Sequence, residues 1–199
     1  MLLKTIQPML KKAKFFYKKS ALVLGVLIPL LLLYVFSPGL NMFNAPLSIF
    51  GITESTQTIW IMFNQMMSIT LMMFGLNANQ NLPDSINKKR NKKILDGILA
   101  VAIVAFSASG MITMDIHLAH LTLAGIFFVS YMAYIFWYGY YSRNPSIILS
   151  LWATGICLLS LAAIAVTFIM GYSYGFFEVI FILCVLLWNI LMFRHKKLS

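Results

Sequence analysis

Residues 94–139 read ILDGILAVAIVAFSASGMITMDIHLAHLTLAGIFFVSYMAYIFWYG. These are two apolar runs of about 20 residues, each long enough to cross ~30 Å of hydrocarbon as a helix. Only a short polar turn around Asp115 and His117 separates them. Inside a bilayer every backbone N–H and C=O must be satisfied within the segment, so an isolated run of this length is helical. The stretch therefore predicts a transmembrane hairpin, and the fold class follows from it.

Working outward, the same criterion predicts six spans, at 20–36, 58–76, 94–114, 117–139, 146–170 and 174–193. The chain has 199 residues, 61% hydrophobic and 10% charged, with a mean hydropathy of +0.87. A soluble domain carries roughly 25% charged residues, so a water-soluble fold is excluded. The expected architecture is an all-α bundle of six transmembrane helices. A basic interfacial segment, 1–19, precedes the membrane domain, 20–193, and a basic tail, 194–199, follows it. No remaining piece is long enough for a separate soluble domain.

Charge orients the bundle. Lys4, Lys11, Lys12, Lys14, Lys18 and Lys19 precede span one. Lys88, Lys89, Arg90, Lys92 and Lys93 lie between spans two and three, Arg143 between four and five, and Arg194, Lys196 and Lys197 after six. The alternate connections, 37–57, 115–116 and 171–173, carry no Lys or Arg. Basic segments stay on the cytoplasmic side, so both termini are expected inside, in a plasma membrane of bacterial type. The basic runs abut spans and carry no recognition motif, so inner-leaflet lipid rather than nucleic acid is the expected partner. The first 19 residues resemble a signal n-region, but Ser37-Pro38-Gly39 follows the apolar run in place of a cleavage site; an uncleaved anchor is expected. Leu2, Ile6, Met9, Ala13 and Phe16 share one helical face there, interrupted by Pro8.

Several features bear on chemistry. Cys157 and Cys184 fall inside spans and form no CxxC pair, so redox and cysteine–metal chemistry have no support. No GxSxG, Walker A or usable GxGxxG motif occurs. The outer segment Ser37–Gln57 is apolar for a loop, which predicts that it lies in the interface or folds back on the bundle as a lid. Span two is rich in methionine, at Met62, Met66, Met67, Met72 and Met73, suited to irregular packing or an adaptable ligand surface. Asn77–Lys93 reads as a solvated linker. The cluster Tyr131, Tyr134, Phe136, Trp137, Tyr138, Tyr140 and Tyr141 reads as an interfacial aromatic belt.

Polar groups at membrane depth are costly and mark function. Asn64, Asp115, His117, His120 and Glu178 all fall near the starts of inward-running spans, so they gather at the outer face. No such gathering is expected at the inner end, where Asp96 has Lys92 and Lys93 within a turn. His117 and His120 are three apart and reach one side of a helix; with Asp115 and Glu178 as carboxylates they form a candidate zinc set. Structural readings stand beside this one: Asp115 as an N-cap, Glu178 favoured by the helix dipole, and the histidines bonded to water or carbonyls. Ser48 becomes a nucleophile candidate near His120 if the outer segment folds in.

A resemblance follows from these residues. Asn44-Ala-Pro-Leu-Ser48-Ile-Phe-Gly51 and Ile61-Met-Phe63-Asn64 resemble the Ser-x-Leu-Gly and Phe-Asn elements of a prokaryotic six-span family catalogued as domain of unknown function 998, with Phe50 where that family often has Leu. Gly110 to Phe128 looks like its second element, in which a glycine ends one span, an acidic residue caps the turn and a His precedes aromatics. The layout is similar to DRAM/Frag-type membrane proteins. The resemblance points to Ser48, Gly51, Asn64, Gly110, Asp115 and His120, with Gly51 and Gly110 in structural roles. His117 and Glu178 rest on the residues alone. The function expected is non-enzymatic: an outer-leaflet pocket of Ser48, Asn64, Asp115, His120 and Glu178 that binds or moves a lipid or small amphiphile without a cofactor. The alternatives are a zinc-dependent membrane hydrolase at the same residues, and an accessory subunit with a membrane-protein partner or a second copy of itself.

Overall fold

A computed structural model describes residues 35, 45–52, 54–80, 82, 88–112, 116–142 and 147–195. A 3-10 turn, Leu47–Gly51, precedes five helices: α1 (Gln57–Gln80), α2 (Lys88–Met111), α3 (His117–Tyr141), α4 (Ile147–Met170) and α5 (Tyr174–His195). All five are long and apolar enough to cross a membrane. Four match the expected spans to within about four residues at each end, the usual scatter of helix boundaries. The other, α2, starts six residues earlier than residue 94, at Lys88. The expected first span, 20–36, lies outside the described residues apart from Val35, as do most of the basic segments at the termini.

Short connections make sequential helices antiparallel neighbours, and α5 returns to pack on α1. α4 packs against α3 and α5 and turns Ile148, Leu151, Leu158 and Ile169 outward. Lipid tails are as apolar as leucine, so helix association rests on close packing and interhelical hydrogen bonds. Glycines supply the first. A Cβ on Gly110 would fall 2.4 Å from Asn64 Cβ, one on Gly75 2.4 Å from Leu99 Cδ2, and one on Gly139 2.3 Å from Ala153 Cβ. α3 and α5 meet instead through rings: Phe127 on Phe181 at 5.7 Å, Phe128 on Phe177 at 4.8 Å and Tyr138 on Trp188 at 5.8 Å. The only described residue with a positive φ, Gly171, ends α4; the Tyr172 N–H then reaches back to Thr167 O at 3.1 Å, a Schellman closure.

Two expectations change at the end of the bundle where Gln80, Lys88, Tyr141 and Ile147 lie, called here the basic end. The supposed linker is largely helical: α1 runs on to Gln80, and α2 already contains Lys88–Lys93. Lys and Arg are good helix formers, and Lys92 pairs with Asp96 one turn later. The tyrosines also divide. Trp137 and Tyr140 face outward, but Tyr131, Tyr134 and Tyr138 are buried, because their 3–4 residue spacing places all three on the core side of α3. Tyr134 Oη donates toward Asn79 Oδ1 at 3.1 Å and Gly75 O at 3.3 Å, and Tyr138 Oη to Ala78 O at 3.1 Å. Asn189 Nδ2 donates to Tyr131 Oη at 2.9 Å, and Asn79 Nδ2 to Asp96 Oδ1 at 2.8 Å. A buried polar network thus ties α1, α2, α3 and α5 together where none was expected.

Candidate functional site

The opposite, distal end gathers the starts of α1, α3 and α5 and the ends of α2 and α4. Here the described part of the expected outer segment packs onto the bundle: Leu47, Ser48, Phe50 and Gly51 are all buried. Hydrogen bonds to the start of α1 and to α5 hold it. Thr56 Oγ1 donates to Phe50 O at 2.8 Å, tying the turn to the start of α1. The first N–H of a 3-10 turn has no partner within the turn, and Pro46 offers no side-chain cap. Glu178 supplies the missing acceptor from α5, taking the Leu47 N–H on Oε2 at 2.6 Å. Gly51 lets the turn lie flat on an indole, since a Cβ there would fall 2.8 Å from Trp60 Cδ1.

Asn64 lies one turn further along α1, 1% exposed. Its Nδ2 donates to Trp60 O at 2.8 Å, while its Oδ1 is buried without any hydrogen-bond partner. Gly110 makes room for this side chain at the end of α2. His120 closes the α2–α3 corner. Its Nδ1 lies 3.0 Å from Ser109 O and 2.9 Å from Ile112 O. Carbonyls only accept, so Nδ1 carries a proton. The ring thereby satisfies carbonyls at the C-terminal end of α2 that have no helical partner of their own.

These groups border two adjacent spaces that share part of their lining. An inner chamber of about 40 Å³ is lined by Ser48, Asn64, Ser109, His120 and Glu178 on its polar side and by Trp60, Phe63, Phe106, Phe127 and Phe128 on its aromatic side. A groove of about 310 Å³ lies between α3, α4 and α5 and shares His120, Ala124, Phe128 and Glu178 with the chamber. Leu121, Gly125, Ile164, Phe168 and Phe177 line its apolar length, with Thr167 and Tyr174 as further polar groups. Leu121, Gly125, Phe168 and Tyr174 are exposed, so the groove opens sideways onto the face that lipid would cover.

Ser48, Asn64, His120 and Glu178 therefore lie on one cavity wall, with Gly51 and Gly110 packed beside them. His117 does not join them: it is the first residue of α3 and exposed, one turn from the buried His120. Asp115 lies outside the described residues, and the N-cap position of α3 falls on Ile116, without a side-chain cap bond. Among the described residues no three of His, Cys, Asp and Glu form a metal-ligand group. The lone polar residues pointed to this end, but the aromatic wall, Ser109 and the groove residues Thr167 and Tyr174 escaped the sequence reading. The run Gly125-Ile-Phe127-Phe128 opposite Phe176-Phe177 was the available signal.

The family described as Protein of unknown function (DUF998) matches residues 21–195 of the chain. No curated protein and no solved structure matches it.

Proposed function

We propose, for a chain that belongs to the DUF998 family, that it is a non-enzymatic membrane protein whose distal groove takes up a single-chain lipid or small amphiphile. The observation that carries this reading is the groove itself. Its lining is mostly apolar, several of those residues are exposed on the lipid-facing side, and it includes His120 and Glu178. At about 310 Å³ it falls at the small end of ligand cavities, ~300–1,000 Å³. That size suits one chain rather than a whole two-chain phospholipid.

The reading also takes the distal end as the outward face of a bacterial plasma membrane. In support, the distal connections 37–57, 115–116 and 171–173 carry no Lys or Arg, while Lys88–Lys93 and Arg194 lie at the opposite ends of their helices. The six-span arrangement with both termini cytoplasmic belongs to the same proposal, with residues 20–36 as the first span.

A matched pair of glycines tests it. A Cβ at Gly125 or Gly155 meets nothing within 4 Å, and both are exposed on helices, but only Gly125 lines the groove. Gly125→Phe should fill the groove and strip the co-purifying amphiphile measured by mass spectrometry, whereas Gly155→Phe should leave it in place. Equal amphiphile content in both variants would rule the groove out as the binding site.

A further inference from the structure

We infer that the inner chamber is an ammonium site, so that the amphiphile taken up by the groove is a long-chain amine whose cationic head enters the chamber. This rests on the amphiphile reading above and adds the chemistry of the head group.

Three of the polar groups that line the chamber offer acceptors. Asn64 Oδ1 is buried and unpartnered, because the amide's donor is already committed to Trp60 O. His120 gives its Nδ1–H to two carbonyls, which leaves Nε2 as an acceptor in the neutral ring form. Glu178 brings a carboxylate whose one protein hydrogen bond among the described residues is to Leu47 N–H. A set of three acceptors calls for a ligand that donates. The lining also includes the rings of Trp60, Phe63 and Phe127, and ring faces attract a desolvated cation.

Charge points the same way. A carboxylate at membrane depth is costly unless paired, yet the ion pair among the described residues, Lys92–Asp96, lies at the other end. The distal connections contain Glu54 and Asp115 and no Lys or Arg. Among the described residues no Lys or Arg lines either space, so a phosphate beside the amine finds no counter-charge there. That favours a simple alkylammonium over a phosphoethanolamine head. The chamber, about 40 Å³, exceeds the ~10–15 Å³ that one water needs and has room for a single small head group.

The test compares n-dodecylammonium with 1-dodecanol, binding to the full chain in mild detergent by isothermal titration calorimetry. A charge-assisted set of hydrogen bonds should make the ammonium bind about tenfold or more tightly than the alcohol. Glu178→Gln keeps an acceptor for Leu47 N–H and should collapse that preference, weakening the ammonium far more than the alcohol. Asn64→Ala, which leaves no donor orphaned, should reduce the preference a few-fold and decides the matter if Glu178→Gln does not fold. Equal binding of amine and alcohol, or a preference indifferent to the variants, would overturn the ammonium site and leave the groove standing. Failure of both probes to bind would take the groove reading down as well. Competition by phosphatidylethanolamine nanodiscs, but not phosphatidylcholine ones, would make a lipid head group the source of the amine; absence of competition would make it a free amine.

Discussion

Replacing Gly110 with alanine places a methyl group 2.4 Å from Asn64 Cβ and 2.6 Å from Asn64 Cγ. Ordinary carbon contacts are ~3.5–4.0 Å, so α1 and α2 must separate by about 1 Å where Asn64 frames the chamber. Asn64 Cβ is fixed to its backbone and cannot rotate away. Overpacking of this kind costs about 1–3 kcal/mol. Gly97, on the same helix, is the control, because a Cβ there meets nothing within 4 Å. Both substitutions gain helix propensity of up to ~1 kcal/mol over glycine, and this cancels in the comparison. Gly110→Ala should therefore melt below Gly97→Ala by the overpacking cost alone, several degrees at about 2–4 °C per kcal/mol. Gly75→Ala should fall between them, since it meets the mobile end of Leu99. The assay is thermal unfolding in mild detergent followed by tryptophan fluorescence. Gly110→Ala as stable as Gly97→Ala would refute the close α1–α2 contact.

His120→Leu removes the Nδ1–H donated to Ser109 O and Ile112 O and should cost about 1–3 kcal/mol, whereas His117→Leu at its exposed position should stay within about 0.5 kcal/mol; the same melts measure both. Asn79→Leu severs links to Asp96 and Tyr134, and with interhelical hydrogen bonds in membranes averaging ~0.6 and reaching ~1.7 kcal/mol, a loss of about 1–3 kcal/mol is expected. A loss no larger than that of Tyr134→Phe would show that the Asn79–Asp96 bond adds nothing to the link between α1 and α2. Protein purified without a metal-affinity column should contain far less than one zinc per chain by elemental analysis. Near-stoichiometric zinc, lost in a His117→Ala/His120→Ala double variant, would instead favour the hydrolase alternative.

Hydropathy located α1 and α3 to α5 closely because uninterrupted apolar length is a strong local signal. It failed where polarity and helicity part company. Asn79 and the Lys88–Lys93 run looked like loop, yet Asn79 finds Asp96 and Tyr134, and the lysines extend α2. Tyr131, Tyr134 and Tyr138 looked like a belt because composition near a span end does not say which side of the helix is wet; their spacing did. At the distal end, Asn64, His120 and Glu178 were legible as isolated polar residues at one depth. That His120 would commit Nδ1 to two carbonyls, or Glu178 to the Leu47 N–H, depends on contacts between residues as far as 131 positions apart, which no local pattern encodes. Three-residue spacing made His117 and His120 look paired, but at the helix start it leaves one exposed and the other buried.

The most direct measurement is a crystal structure of the protein with a terminally brominated single-chain amphiphile, locating bromine by anomalous scattering. A peak in the groove near Phe168 and Leu121, with the head group at His120 and Glu178, is the expected result. Bromine confined to the outer belt of the bundle, with the groove empty, would contradict the proposed binding site.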